Sequence, residues 1–243
     1  MMADTIILVH GAWHTEREME PVASHLRALG YNVYCPTLAG NRDGDDRMAI
    51  GLMDAIASLA DFIRGQKLER FRLVAHSYGG MVISGIAHEF KSQIQRIVYC
   101  NAFVPLPGES LMDLVPEAHR RLFEAIAADN QNSLKLPFEV WRDVFINDAD
   151  LPLSTTSYAR LNAQPYNTFT QAIALDAPLA QLDIPKSYVN CQQDVAMPHS
   201  MPWHPRLSER LGPFRLVECA GSHEVLFTDP QRWAEAIHLA ARD

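Results

Sequence analysis

The chain reads as an α/β protein: a mostly parallel sheet flanked by helices, with an inserted helical cap. Three observations carry that expectation. Several apolar runs are continuous rather than alternating, as in strands covered on both faces. Segments with apolar residues every three or four positions lie between them, so strand and helix patterns alternate. One long stretch, residues 105–186, breaks the alternation with helical patterns and no convincing buried strand.

The elements follow in chain order. Thr5–His10 is the first apolar run. Met19, Val22, Ala23, Leu26 and Leu29 then share one helical face, and Gly30 marks its stop. Tyr31–Cys35 is the next strand, followed by a stripe of Ala49, Leu52, Met53, Ile56, Leu59, Ala60 and Ile63. Phe71–His76 is a strand, Tyr78 to Glu89 a helix through Val82, Ile83 and Ile86, and Ile97–Cys100 a further strand. Within the cap, Glu117–Ala128, Phe138–Ile146 and Thr168–Leu175 read as short helices. Phe145, Tyr158 and Tyr166 join Phe123, Phe138, Trp141 and Phe169 as cap aromatics that either line a pocket or pack the cap down. Ser187–Cys191 and Phe214–Glu218 are the last strands. Asp229 then caps a final helix that has Pro230 in its first turn and Trp233, Ala236, Ile237 and Ala240 on one face. The core thus comes in two blocks, 1–104 and 187–243. Neither closes a sheet alone, so a single domain spanning 1–243 is expected.

Composition narrows the function. Hydrophobic residues make up 48% and charged residues 21% of the 243, which is ordinary for a globular protein and argues against disorder. Lys plus Arg number 21 against 29 Asp plus Glu, a net charge of −8. Neutralising a phosphate backbone needs clustered cations, so nucleic acid is not an expected partner. Cys35, Cys100, Cys191 and Cys219 are far apart, show no zinc spacing, and sit in or beside apolar runs like free buried thiols. Met1 to Asp4 lacks a basic leader region, and the apolar stretch after it is too short to span a membrane. A cytoplasmic protein, monomer or homodimer, without a membrane partner is expected.

The chemistry is written at strand ends. Ala75-His76-Ser77-Tyr78-Gly79-Gly80 follows a buried strand and opens a helix. Such a sharp turn exposes a serine above the sheet while small neighbours avoid collision. An ordinary turn with Ser77 as helix N-cap is the bland alternative. A serine nucleophile also needs a base to take its proton, and that base needs a carboxylate to fix its tautomer. Asp194 follows the strand Ser187–Cys191, and His223 follows the next strand. Ser77, Asp194 and His223 all lie just past the C-terminal ends of strands, where ligand sites of open α/β sheets gather. Asp183 precedes its strand, at the wrong end, and Glu224 is expected to point elsewhere. Two backbone N–H groups are placed to hold a developing oxyanion: Tyr78, after the nucleophile, and Ala12, in the loop after the first strand. His10 and His14, like His199 and His204, lack metal-ligand spacing on one face, so no metal and no other cofactor is expected.

These residues together resemble the α/β-hydrolase superfamily. More closely, they resemble the branch holding plant methyl salicylate-type esterases and hydroxynitrile lyases, with bacterial esterase relatives. The matching pieces are Val9–His14, His76–Met81, Ala102–Pro105, Gln164–Gln171, Cys191–Asp194 and Gly221–His223. The resemblance implies the α/β-hydrolase fold over nearly the whole chain. It also implies Ser77, Asp194 and His223 as triad, Ala12 and Tyr78 as oxyanion donors, and no cofactor. Three places depart from the pattern: Thr15-Glu16-Arg17 beside the substrate entrance, Ala75 in the first elbow position, and Asn101 where some bacterial relatives carry Asp.

The expected activity is cleavage of a small or medium hydrophobic or aromatic carboxylic ester, lactone or carbamate through an acyl-Ser77 intermediate. The pocket is expected from Trp13, His14, Phe123, Phe138, Trp141 and Phe169. Two alternatives share the scaffold. In lyase-like or cofactor-free oxygenase chemistry, His223 acts on the substrate directly. No Lys stands near the triad as a cyanide-releasing lyase would require; Lys186 lies at the far end of its strand. A non-catalytic small-ligand binder would have no use for an Asp–His pair.

Overall fold

The structure, a computed structural model, describes residues 4–243; the reading of Met1 to Ala3 lies outside the described residues. Its centre is a six-stranded sheet of β1 (Thr5–Val9), β2 (Asn32–Tyr34), β3 (Phe71–His76), β4 (Ile94–Cys100), β7 (Lys186–Cys191) and β8 (Arg215–Cys219). The order is β2-β1-β3-β4-β7-β8, and every neighbouring pair is parallel. The central strands β1, β3 and β4 are buried along nearly their whole length, which is why their sequences run apolar without alternation. The edges differ from that expectation. β8 alternates between exposed and half-buried positions, because an edge strand is covered on fewer sides. β4 begins three residues earlier than its apolar run, since Gln95 and Arg96 interrupt the hydrophobic pattern. Arg96 is nevertheless buried, donating to Ser187 Oγ at 3.3 Å.

Helices pack on both faces and form two apolar clusters, one on each side of the sheet. α1 (Glu16–Ala28) starts at a capping box: Thr15 Oγ1 accepts from the Arg17 N–H, and Glu18 accepts from the Thr15 N–H at 2.9 Å. α2 (Leu52–Gly65) buries Leu52, Ile56, Leu59 and Ile63, and α3 (Gly79–Ala87) follows β3 directly. α10 (Pro230–Ala241) starts where Asp229 accepts from the Arg232 N–H at 2.9 Å.

Residues 101–185 separate β4 from β7, and Lys186, expected in the cap, is the first residue of β7. They contain α4 (Leu111–Leu114), α5 (Glu117–Asp129) and α6 (Phe138–Val140), which widens into a wider-wound turn over Trp141–Phe145. α7 (Leu151–Arg160) and α8 (Asn167–Thr170) complete the segment. Three expectations change here. Thr168–Leu175 is a single turn rather than a helix. α7, rich in Ser and Thr with a weak apolar stripe, had no periodic signal. The cap also holds a two-stranded antiparallel ribbon, β5 (Ser133–Leu134) with β6 (Gln164–Pro165), too short to show a strand period. A one-turn helix, α9 (Val225–Thr228), lies between β8 and α10. No helix among the described residues is long and apolar enough to cross a membrane.

Candidate active site

The turn between β3 and α3 places Ser77 in the left-handed region, at φ 51°. That strain is tolerated because the turn is locked from several sides. The Ser77 carbonyl accepts from the N–H groups of Gly80 at 3.0 Å and Phe103 at 3.1 Å. Glycine is required next door: a Cβ on Gly79 would stand 2.6 Å from the His10 carbonyl, and one on Gly80 would collide with the Phe103 backbone.

The loops after β7 and β8 bring two further side chains to this serine. His223 Nε2 lies 2.9 Å from Ser77 Oγ, and His223 Nδ1 lies 2.6 Å from Asp194 Oδ2. With Nδ1–H donating to the carboxylate, Nε2 is the lone pair that accepts from the serine hydroxyl. His223 is 1% exposed. Burial opposes its charged form. The Asp194 charge and hydrogen bond, with Glu224 nearby, outweigh burial and raise the imidazole above its ordinary value. Asp194 is held in turn: Oδ1 accepts from the Ala196 N–H at 2.8 Å, and Oδ2 also accepts from the Asn101 amide. Asn101 Oδ1 accepts from the Cys191 N–H at 2.6 Å, so one side chain ties the end of β4 to the end of β7.

Ala12 and Tyr78 flank Ser77 on the cavity wall. Among the described residues, neither backbone N–H donates a hydrogen bond. The Ala12 loop is set by Trp13, at φ 66°. Its N–H donates to Gln164 Oε1 at 3.1 Å, and its indole N–H donates to the Leu134 carbonyl at 3.0 Å. Cap ribbon and first-strand loop are thus one unit. Asp148 does the same for the His223 loop, accepting from the Ser222 N–H at 3.0 Å and from Thr228 Oγ1 at 3.1 Å.

Beside Ser77 lies a cavity lined by Trp13, Phe103, Phe123, Phe145, Phe169, Met197 and Trp203, together with His119. Trp203 stacks on the His223 ring, centroids 5.2 Å apart at 14°, and Phe145 meets that ring edge-on at 5.5 Å. Three expected pocket residues stand elsewhere. Phe138 packs against Tyr158 at 5.3 Å, because its one-turn helix lies on the outer cap. Trp141 is fully buried with its N–H on Ser157 Oγ at 3.1 Å. His14 points beneath the loops, to Glu224 at 2.9 Å. Trp203 and Met197 carried no signal in sequence, since they sit in irregular segments, and Phe103 stands there only within the matching piece Ala102–Pro105.

Several histidines surround the site. His10 uses both nitrogens, donating from Nδ1 to the Gly11 carbonyl at 2.7 Å and accepting at Nε2 from the Leu38 N–H at 3.1 Å. Burial lowers it to about 4, so it is a neutral structural residue. His14, His76 and Glu224 form the one group of three donor side chains of metal-ligand type among the described residues, their donor atoms within 4.8 Å of one another. Sequence spacing hides this group, because the three come from three loops. Its members are engaged in hydrogen bonds: His14 with Glu224, and His76 Nε2–H with the His223 carbonyl at 3.0 Å.

The parallel sheet, the strained serine turn, and the Ser77–His223–Asp194 chain of hydrogen bonds define a hydrolase of the α/β type. The chain belongs to the alpha/beta hydrolase family, whose profile matches residues 6–236. It is similar to an extracellular alpha/beta-hydrolase from a Paenibacillus species that shares structural and functional homology with tobacco Salicylic Acid Binding Protein 2. That likeness is 34% identity and a TM-score of 0.94, over 99% of this chain and 100% of the other. A pyrethroid hydrolase of Sphingobium wenxiniae is 28% identical over 98% of this chain and 87% of its own length. A carbendazim hydrolyzing esterase of a Nocardioides species is 39% identical over 46% of this chain and 47% of its own length. Set among these relatives, the chain is a carboxylic ester hydrolase.

Proposed function

We propose that this enzyme cleaves small or medium, uncharged, hydrophobic or aromatic carboxylic esters, lactones or carbamates through an acyl-Ser77 intermediate. The observation that carries the reading is the Ser77–His223–Asp194 chain of hydrogen bonds opening on an apolar cavity. As Ser77 Oγ bonds to the substrate carbonyl carbon, its proton passes to His223 Nε2 and the C=O electron pair moves onto oxygen. The Ala12 and Tyr78 N–H groups receive that oxyanion, and Asp194 stabilises the imidazolium. Collapse breaks the bond to the leaving oxygen, which takes the proton from His223. Water, deprotonated by the same imidazole, then releases the acid and restores Ser77.

The aromatic walls select the substrate. They offer dispersion contact and no counter-charge, so a charged acyl group would lose its hydration without compensation. Carbamates offer Ser77 the same carbonyl carbon to attack, and a similar protein of Yersinia enterocolitica, named as a putative carbamate hydrolase, supports including them. The cysteines are free, three of them buried, which suits a reducing compartment such as the cytoplasm, although the similar Paenibacillus protein is extracellular. A panel of aryl and alkyl esters with wild type and Ser77→Ala tests the reading. Turnover is expected to fall at least ~10³-fold in the variant. Equal rates would refute the role of Ser77.

A further inference from the structure

Behind the His223 imidazole lies a second buried layer that the ester-cleavage steps do not use. Glu224 turns away from Ser77 and accepts from His14 Nε2 at 2.9 Å, with side-chain exposures of 0% for His14 and 2% for Glu224. The His76 ring lies 6.2 Å from His14, nearly parallel at 16°, and 4.7 Å from the His223 ring. Trp141 and Phe227 close over His14 edge-on, at 6.0 and 5.6 Å. Gly11 leaves little room at the free His76 nitrogen: a Cβ there would stand 2.8 Å from Nδ1. The layer is therefore a hydrogen-bonded core cluster, and its carboxylate is what needs explaining. Burying a charge in such surroundings is unfavourable unless a partner uses it. His14 partners that charge at 2.9 Å, and the imidazolium that His223 becomes during ester cleavage lies against the same His76 ring.

We propose that Glu224 is a positioning residue: held by His14, it serves as a second carboxylate, beside Asp194, that stabilises protonated His223. It touches no substrate and acts through the His76 ring and its own chain neighbour. The titratable groups facing His223 are Asp194, Glu224 and His76; those facing Glu224 are His14, His76 and His223. Burial alone would raise Glu224, but His14 holds it below the usual carboxylate range. Burial drives His76 down to about 3, so it stays neutral and lets the Glu224 charge be felt at His223.

The proposal rests on the serine-hydrolase reading, and its test reads the imidazole directly. The ring proton of His223 is titrated by NMR in wild type and Glu224→Gln, with the resonance assigned by its loss in His223→Gln. Glu224→Gln keeps the hydrogen bond and removes the charge. Its midpoint is expected to fall by about 0.5–1 pH unit. The acid limb of kcat/KM should move with it, while KM for a neutral ester changes less than about twofold. An unmoved midpoint in a folded Glu224→Gln protein would overturn the proposal. If that variant does not fold, His14→Phe and His14→Gln decide. Without a donor the buried Glu224 takes up a proton, so His14→Phe lowers the midpoint and His14→Gln restores it. Equal midpoints in those two would overturn the proposal. A shifted midpoint in a protein that turns over no ester would support the coupling and sink the hydrolase reading alone.

Discussion

At the scale of the residue, the proposed mechanism passes a proton from Ser77 to His223 while Asp194 stabilises the imidazolium. Because the His223 imidazole is raised above its ordinary value, the base form exists only above a pH higher than about 6.5. The account expects kcat/KM to fall about tenfold per pH unit below that apparent midpoint. A pH–rate profile flat from about pH 5 to about pH 8 would contradict it. The stability consequence has the opposite sign. A raised histidine favours the folded state below its unfolded value of about 6.5, and that contribution is lost as pH rises through the folded value. Asn101 gives a second residue-scale prediction. Asn101→Ala removes a donor from Asp194 and leaves the buried Cys191 N–H unpaired. Turnover is expected to drop about tenfold and stability by about 1–3 kcal/mol, read from kcat and from urea unfolding. A variant with wild-type values of both would remove Asn101 from the account. Sequence showed Asn101 only as a departure from a pattern; its tie between two strand ends needs the fold to be seen.

At the scale of the element, the strand ends do the positioning. Ser77 and Asp194 were legible because each follows a continuous apolar run that marks a buried strand, whereas His223 follows β8, which lies at the sheet edge and is only partly buried. Gly80 tests the packing of the turn. Gly80→Ala would drive a methyl into the Phe103 backbone, which cannot rotate aside. A loss of about 1–3 kcal/mol is expected, seen as a fall in Tm; an unchanged Tm would mean the turn is looser than described. The cap was far less legible. α7 has no clear stripe, the β5–β6 ribbon is two residues per strand, and the polar pins Gln164 and Asp148 act across long sequence separations. Asp148→Ala frees the Ser222 N–H in the loop that carries His223. A fall in kcat with KM nearly unchanged is expected, whereas a change confined to KM would mean that Asp148 shapes only the cavity.

At the scale of the whole molecule, the charge of −8 surrounds a largely apolar cavity whose lining contains no Lys or Arg. An anionic ester is therefore disfavoured twice, by the field on approach and by desolvation inside. Only the first is screened by salt. Added salt is expected to narrow, but not close, the gap in kcat/KM between a neutral ester and its anionic isostere. A gap that salt abolishes would place the selection at the surface. Trp203 and Met197 were unreadable in sequence because they sit where no period applies, and the outward Phe138 shows how little a cap aromatic reveals by itself. The central claim, an acyl group carried on Ser77 between two proton transfers through His223, has one direct measurement. Wild type mixed with a chromogenic aryl ester is quenched with acid within milliseconds and analysed by intact mass and peptide mapping. The account predicts one acyl group per chain, on the peptide holding Ser77, and none in Ser77→Ala. Rapid turnover with no adduct, or an adduct on another residue, would contradict it.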